Sequence, residues 1–89
     1  MLRLYDKYER MGMEYRLLER TKKVALYAVF LGTCRVNYEV FKVRVHKPTL
    51  YKKEPFEVYP DTSKFGNDAW SYTHLEDAKK KYNKLNKMV

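Results

Sequence analysis

The 89-residue chain is poor in the residues that mark several common protein classes. It has one cysteine, three glycines, three prolines and no apolar run longer than the eight residues 24–31. A lone Cys34 excludes a disulfide within the chain and fits a reducing setting, so a cytoplasmic protein is expected. Eight apolar residues fall far short of the ~20 that a membrane-spanning helix needs. The opening MLRLYDKYER is broken by charge every two or three residues and lacks the apolar core of a signal peptide. Scarce glycine and proline leave little for a flexible linker, and the length suits one domain, residues 1–89.

Catalytic signatures are missing too. The chain has no Gly-rich phosphate loop, no GxSxG, no HExxH and no cysteine pair. His46 and His74 are the only histidines, and neither has a carboxylate or thiol at metal-ligand spacing. Cys34 has no basic partner assigned by sequence. The expectation is a protein that is not an enzyme and holds neither cofactor nor metal.

Positive charge is what the chain has in excess. Nineteen basic residues stand against 11 acidic ones, a net +8 with a pI near 9.6. Residues 1–23 carry 7 basic and 4 acidic groups (+3), 24–47 carry 4 and 1 (+3), 48–72 carry 3 and 4 (−1), and 73–89 carry 5 and 2 (+3). A field of that sign favours polyanions, whether nucleic acid, an acidic protein face or anionic lipid.

Periodicity places the elements. Leu4, Tyr8 and Met11 fall at helical spacing and predict a short N-terminal helix ending near Gly12, with a mobile arm as the alternative. Residues 13–20 alternate with period two, as a half-buried strand does. Residues 24–31 are apolar on both faces and rich in β-formers, the pattern of a central strand covered on both sides. Residues 36–47 alternate again, so the two strands form an antiparallel hairpin. Pro48, Pro55 and Pro60 break the next stretch, leaving residues 56–59 as a short edge strand. A polar loop over 61–68 and the aromatic segment 69–72 lead into the last element.

Residues 73–89 predict an amphipathic helix. Thr73 and Glu76 have capping-box spacing, and Leu75, Ala78, Tyr82, Leu85 and Val89 form one stripe with Lys80, Lys84 and Lys87 opposite. Glu76 and Asp77 stand at the positive end of the helix dipole, with the lysines toward the negative end. The architecture expected is α+β: a small antiparallel sheet of three or four strands with the C-terminal helix across one face.

Two surfaces are candidates for a polyanionic partner. Lys42, Arg44 and Lys47 project from the second hairpin strand beside Tyr38 and His46, and cations interleaved with rings suit backbone tracking and base stacking. Lys80, Lys84 and Lys87 form the second, although a lysine-rich back is also what any solvated helix needs. Trp70 is expected to be mainly core.

The segments YEVFKVRVHK and FGNDAWSYTHLEDAKKKYNKL, with RLLERTKKVALYAVFL upstream, resemble small accessory proteins encoded by phages and mobile elements. The likeness spans most of residues 13–85. The strand–loop–helix order is more distantly similar to the WGR domain, a basic sheet and helix that binds nucleic acid. The resemblance implies a short protein acting on nucleic acid, a nucleoprotein effector or host machinery. The alternative within that setting is an anti-CRISPR-like inhibitor that occludes a host defence protein; a self-assembling structural component is a third reading. No membrane partner is expected, and the oligomeric state is open.

Overall fold

The structure, a computed structural model, describes residues 3–51, 53–59 and 68–87. Among these residues seven strands and one helix follow in order: β1 (Lys7–Arg10), β2 (Met13–Arg20), β3 (Val24–Leu31), β4 (Cys34–Lys42), β5 (Arg44–His46), β6 (Phe56–Val58), β7 (Ala69–Tyr72) and α1 (Leu75–Lys87). Five of them form an antiparallel sheet in the order β1-β2-β3-β4-β7, and β5 pairs with β6 in a separate two-stranded ribbon. The α+β class, the β3–β4 hairpin and the C-terminal helix on the sheet follow the expectation. The main sheet has five strands where three or four were expected.

The N-terminal helix is replaced by strand β1. Met11 and Gly12 both have positive φ, 53° and 78°, and make the two-residue turn that joins β1 to β2. Positive φ at both central positions matches the right-handed twist of paired strands, which is why such turns close hairpins. A glycine that can end a helix can equally close a hairpin, and a ten-residue helix is marginal on its own. Pairing with β2 gives Tyr8 a stacked partner in Tyr15, ring centres 4.6 Å apart.

β3 lies at the centre, and Val24 through Val29 are all buried. Its alternate residues serve two cores. Val24, Leu26 and Ala28 join Tyr38, Val40, Ala78, Tyr82 and Leu85 under the helix, with Phe30, Trp70 and Tyr72 at the margin. Ala25 and Tyr27 join Leu4, Phe41 and Ala69 on the opposite face, edged by Tyr8, Tyr15, Leu17, Val43 and Tyr59. Two bulges keep this alternation in phase: Leu18 in β2 and Val36 in β4 drop out of the pairing, and both are exposed. An extra residue inserted at a bulge is pushed out of the ladder and bends the strand.

Two further expectations change. β4 stops at Lys42 and the chain leaves the main sheet at Val43, so residues 36–47 are not one strand. In α1 the His74 carbonyl accepts the first turn's bond, from the Ala78 amide at 3.2 Å, and the Thr73 hydroxyl makes no hydrogen bond among the described residues. The helix therefore starts one residue later than the capping-box spacing implies. Ala78, Tyr82 and Leu85 are buried as the stripe predicts, whereas Leu75 is exposed. Val89 and the loop residues 61–67 lie outside the described residues.

The β5–β6 ribbon is held by charge. Arg20 forms a two-pronged pair with Glu57, Nη1 to Oε1 at 2.6 Å and Nη2 to Oε2 at 2.8 Å, while the Leu4 amide donates to Oε1 at 3.0 Å. The Glu57 carboxyl is held below the usual carboxylate range, first by the Arg20 hydrogen bonds and also by the Leu4 amide. Its side chain is only 3% exposed, so the pair sits in a low-dielectric setting.

Candidate nucleic-acid interface

Antiparallel pairing puts the β2–β3 turn, the end of β4 and the end of α1 at the same end of the sheet. Local chemistry then ties them together. In the turn the Thr21 hydroxyl accepts from the Lys23 and Val24 amides at 3.3 and 3.2 Å, and the Thr21 amide donates to the Val24 carbonyl at 2.8 Å. The same hydroxyl donates to Asn86 Oδ1 at 2.6 Å, and Asn86 Nδ2 donates to the Tyr82 carbonyl at 3.0 Å. The Val43 amide donates to the Lys23 carbonyl at 2.8 Å. Turn, strand exit and helix end thus form one hydrogen-bonded unit.

A cleft of about 340 Å³ opens in that unit, lined by Lys22, Lys23, Val24, Lys42, Val43 and Leu85. Lys22 and Lys23 make no ion pair among the described residues, and both are exposed. Lys42 is half engaged: its Nζ is 4.0 Å from Asp68 Oδ1 and 6.0 Å from the centre of the Trp70 ring. Lys81 Nζ lies 4.0 Å from the same ring centre. An indole face carries negative potential, so two ammonium groups collect there. Trp70 is therefore partly core and partly a seat for cations. Farther along the helix, Lys80, Asn83, Lys84 and Lys87 line a shallow depression on its outer face. The exposed α1 carbonyls at this end repel anions, and Lys84 and Lys87 in the last turn offset them.

The structure separates the cations and rings that sequence alternation placed on one strand. Tyr38 is buried beneath the helix side of the main sheet, with the Arg35 guanidinium 5.0 Å over its ring. Arg44 is ion-paired to Asp68. His46 stacks on Phe56 with ring centres 5.0 Å apart, and its Nδ1 lies 2.8 Å from the Lys47 carbonyl. Lys47 is exposed just beyond β5. Of that set, Lys42 alone lines the cleft. Lys80, Lys84 and Lys87 share the outer face of α1, as their spacing predicts.

Sequence reasoning passed over Lys22 and Lys23 and gave Lys81 only a place on the flank of the helix surface. The first two look like an ordinary polar turn until the hairpin register sets them beside Lys42. Lys81 is a flank residue by helical spacing, and its ring contact depends on Trp70 lying in a strand next to β4. Elsewhere, Cys34 is exposed, and no cluster of three or more metal-ligating side chains occurs among the described residues. No helix among them is long and apolar enough to cross a membrane.

No family model matches the chain, and no curated protein or solved structure matches it either.

Proposed function

We propose that the chain is a non-enzymatic accessory protein that binds nucleic acid, free or in a nucleoprotein, through the basic end of its sheet. The observation that carries this reading is the convergence of Lys22, Lys23 and Lys42 on one cleft, with Lys81 and Trp70 beside it. Lys22 and Lys23 have no carboxylate partner among the described residues, so an incoming phosphate meets exposed cations that are not already neutralised. Lysine is a compact point charge without the planar fork that reads base edges. Contacts of this kind go to phosphate, and affinity is broad in sequence and set by counterion release.

The test is fluorescence anisotropy of a labelled oligonucleotide, titrated at several salt concentrations. Affinity should fall linearly on a log–log plot, and replacing both Lys22 and Lys42 by glutamate should reduce the slope by about 1 per lysine. Both positions are exposed, so the fold should survive, which circular dichroism checks. A parent protein that does not bind oligonucleotides at low salt refutes the proposal. So does a Lys22→Glu, Lys42→Glu variant that binds as tightly as the parent with the same slope.

A further inference from the structure

The connection between β5 and β6, residues 47–55, carries the two most exposed large hydrophobic side chains of the described residues. Leu50 is 93% exposed and Tyr51 is 96% exposed, side by side. Among the described residues no core cluster includes them, and no ring contact or hydrogen bond involves either. Their loop is nevertheless not loose at its root. The Arg20–Glu57 pair and the Val43–Lys23 bond fix the ribbon to the body, and the His46–Phe56 stack holds its two strands together.

The surroundings of the tip are cationic. By sequence, residues 47–55 contain three lysines and one glutamate. Lys47 and Lys53 are exposed on either side of the apolar pair, and neither makes an ion pair among the described residues. The arm's root adjoins the lysine cleft, because Val43, which leads into β5, also lines it, so the loop lysines and the cleft lysines lie at the two ends of one ribbon. A partner for this line must be anionic along its length and must offer a flat apolar face at one point.

We infer that the β5–β6 ribbon is an arm that stacks an unpaired nucleobase on the ring of Tyr51, with Leu50 packed against it. The inference rests on the nucleic-acid reading and narrows its substrate to single-stranded or locally unpaired nucleic acid. Every base has a π-face, so one exposed ring beside a phosphate-tracking cationic path gives sequence-tolerant binding to single strands. In a duplex that face is already stacked, and lysines alone cannot read base edges. An anionic bilayer would call for a broad amphipathic face lying in the interface. Here the apolar groups are two adjacent side chains flanked by Lys47 and Lys53, and the path from them to the cleft runs along the ribbon. A flexible strand can follow that path.

The experiment uses a fluorescent single-stranded oligonucleotide, the same length of abasic strand, the matching duplex, and vesicles rich in phosphatidylserine. Tyr51→Ser should weaken single-strand binding about tenfold, which corresponds to about 1.4 kcal/mol and lies within the range for one stacked base. Tyr51→Phe, which keeps the ring, should stay within about twofold of the parent. The abasic strand should bind the parent more weakly and be indifferent to Tyr51→Ser. If Leu50→Ser and Tyr51→Ser bind like the parent while the Lys22→Glu, Lys42→Glu variant is impaired, this inference fails and the proposed function stands. If the parent binds no nucleic acid, both fail. The inference is also overturned if the duplex binds as tightly as the single strand, or if Tyr51→Ser costs vesicle binding and leaves oligonucleotide binding intact.

Discussion

Replacing Glu57 by glutamine tests the energetics that hold the arm's root. A two-stranded ribbon is not stable by itself in water, so β5 and β6 depend on their ties to the main body. Glu57→Gln keeps shape and one acceptor for the Leu4 amide, but it leaves the Arg20 guanidinium without its counter-charge. Removing one member of a buried pair costs about 3–5 kcal/mol where the orphaned charge stays buried. Arg20 is 18% exposed, so part of its guanidinium can rehydrate. A loss of about 2–3 kcal/mol is therefore expected. For a domain of this size that corresponds to a fall in Tm of roughly 10–20 °C.

The pH dependence of this contribution has a definite sign. Arg20 and the Leu4 amide hold the folded carboxyl below its ordinary value. The stabilisation is then fully present above the unfolded carboxyl's pKa, about 4.3. It is lost as pH falls through the lower folded value. Thermal unfolding of parent and Glu57→Gln should give curves that differ most at neutral pH and converge in acid. Amide hydrogen exchange should quicken in β5 and β6 before it does in β3. A fall in Tm of less than about 2 °C at pH 7, or a difference that grows in acid, refutes the assignment of the pair as the clamp.

Glu39 should behave in the opposite sense. It is half-buried, and desolvation raises its carboxyl above the usual range, against a smaller lowering by the Tyr15 hydrogen bond and Arg10. The folded state favours its protonated form, so Glu39→Gln should raise Tm at neutral pH. The gain should shrink as pH falls through the folded value; an unchanged or lowered Tm at pH 7 would contradict this. The helix stripe gives a paired test. Leu85→Ala, at a buried position, should cost about 2–5 kcal/mol, whereas Leu75→Ala, at an exposed one, should stay within about 0.5 kcal/mol. Equal losses in urea denaturation would mean that the helix is rotated from the position described here.

How much of this was legible in the residues depends on whether the determining interactions are local. Residues 24–31 read as a doubly covered strand because both of their faces are apolar, and nothing about the partners needs to be known. Ala78, Tyr82 and Leu85 read as a packing stripe for the same reason. The N-terminal segment did not, because Leu4 and Tyr8 satisfy a helical spacing as well as a strand face, and pairing with β2 settles it. The capping box failed similarly: Thr73 and Glu76 have the right separation, but β7 extends to Tyr72 and the first helical bond begins at His74. The break at Val43 was invisible because alternation continues through it. Chain direction changes there, at the bond to Lys23, while the apolar–polar pattern runs on unaltered.

The same distinction explains why the candidate surface moved. Alternation along one strand grouped Tyr38, Lys42, Arg44 and His46, but they end in three different environments: under the helix, at the cleft, and on the ribbon. The cleft's own members come from positions far apart in sequence, Lys22 with Lys42 and Lys42 with Leu85, and what unites them is strand order. In an antiparallel sheet every second connection falls at the same end. Here the basic β2–β3 turn, the β4 exit and the C-terminal turn of α1 all fall together. The helix dipole favours cations at that end, and the polar turn tolerates them. Part of the basic excess, spread over three separate segments, is thereby brought together by topology at one end of the sheet. Composition could show that such a face was available to form, whereas its location required the order of the strands.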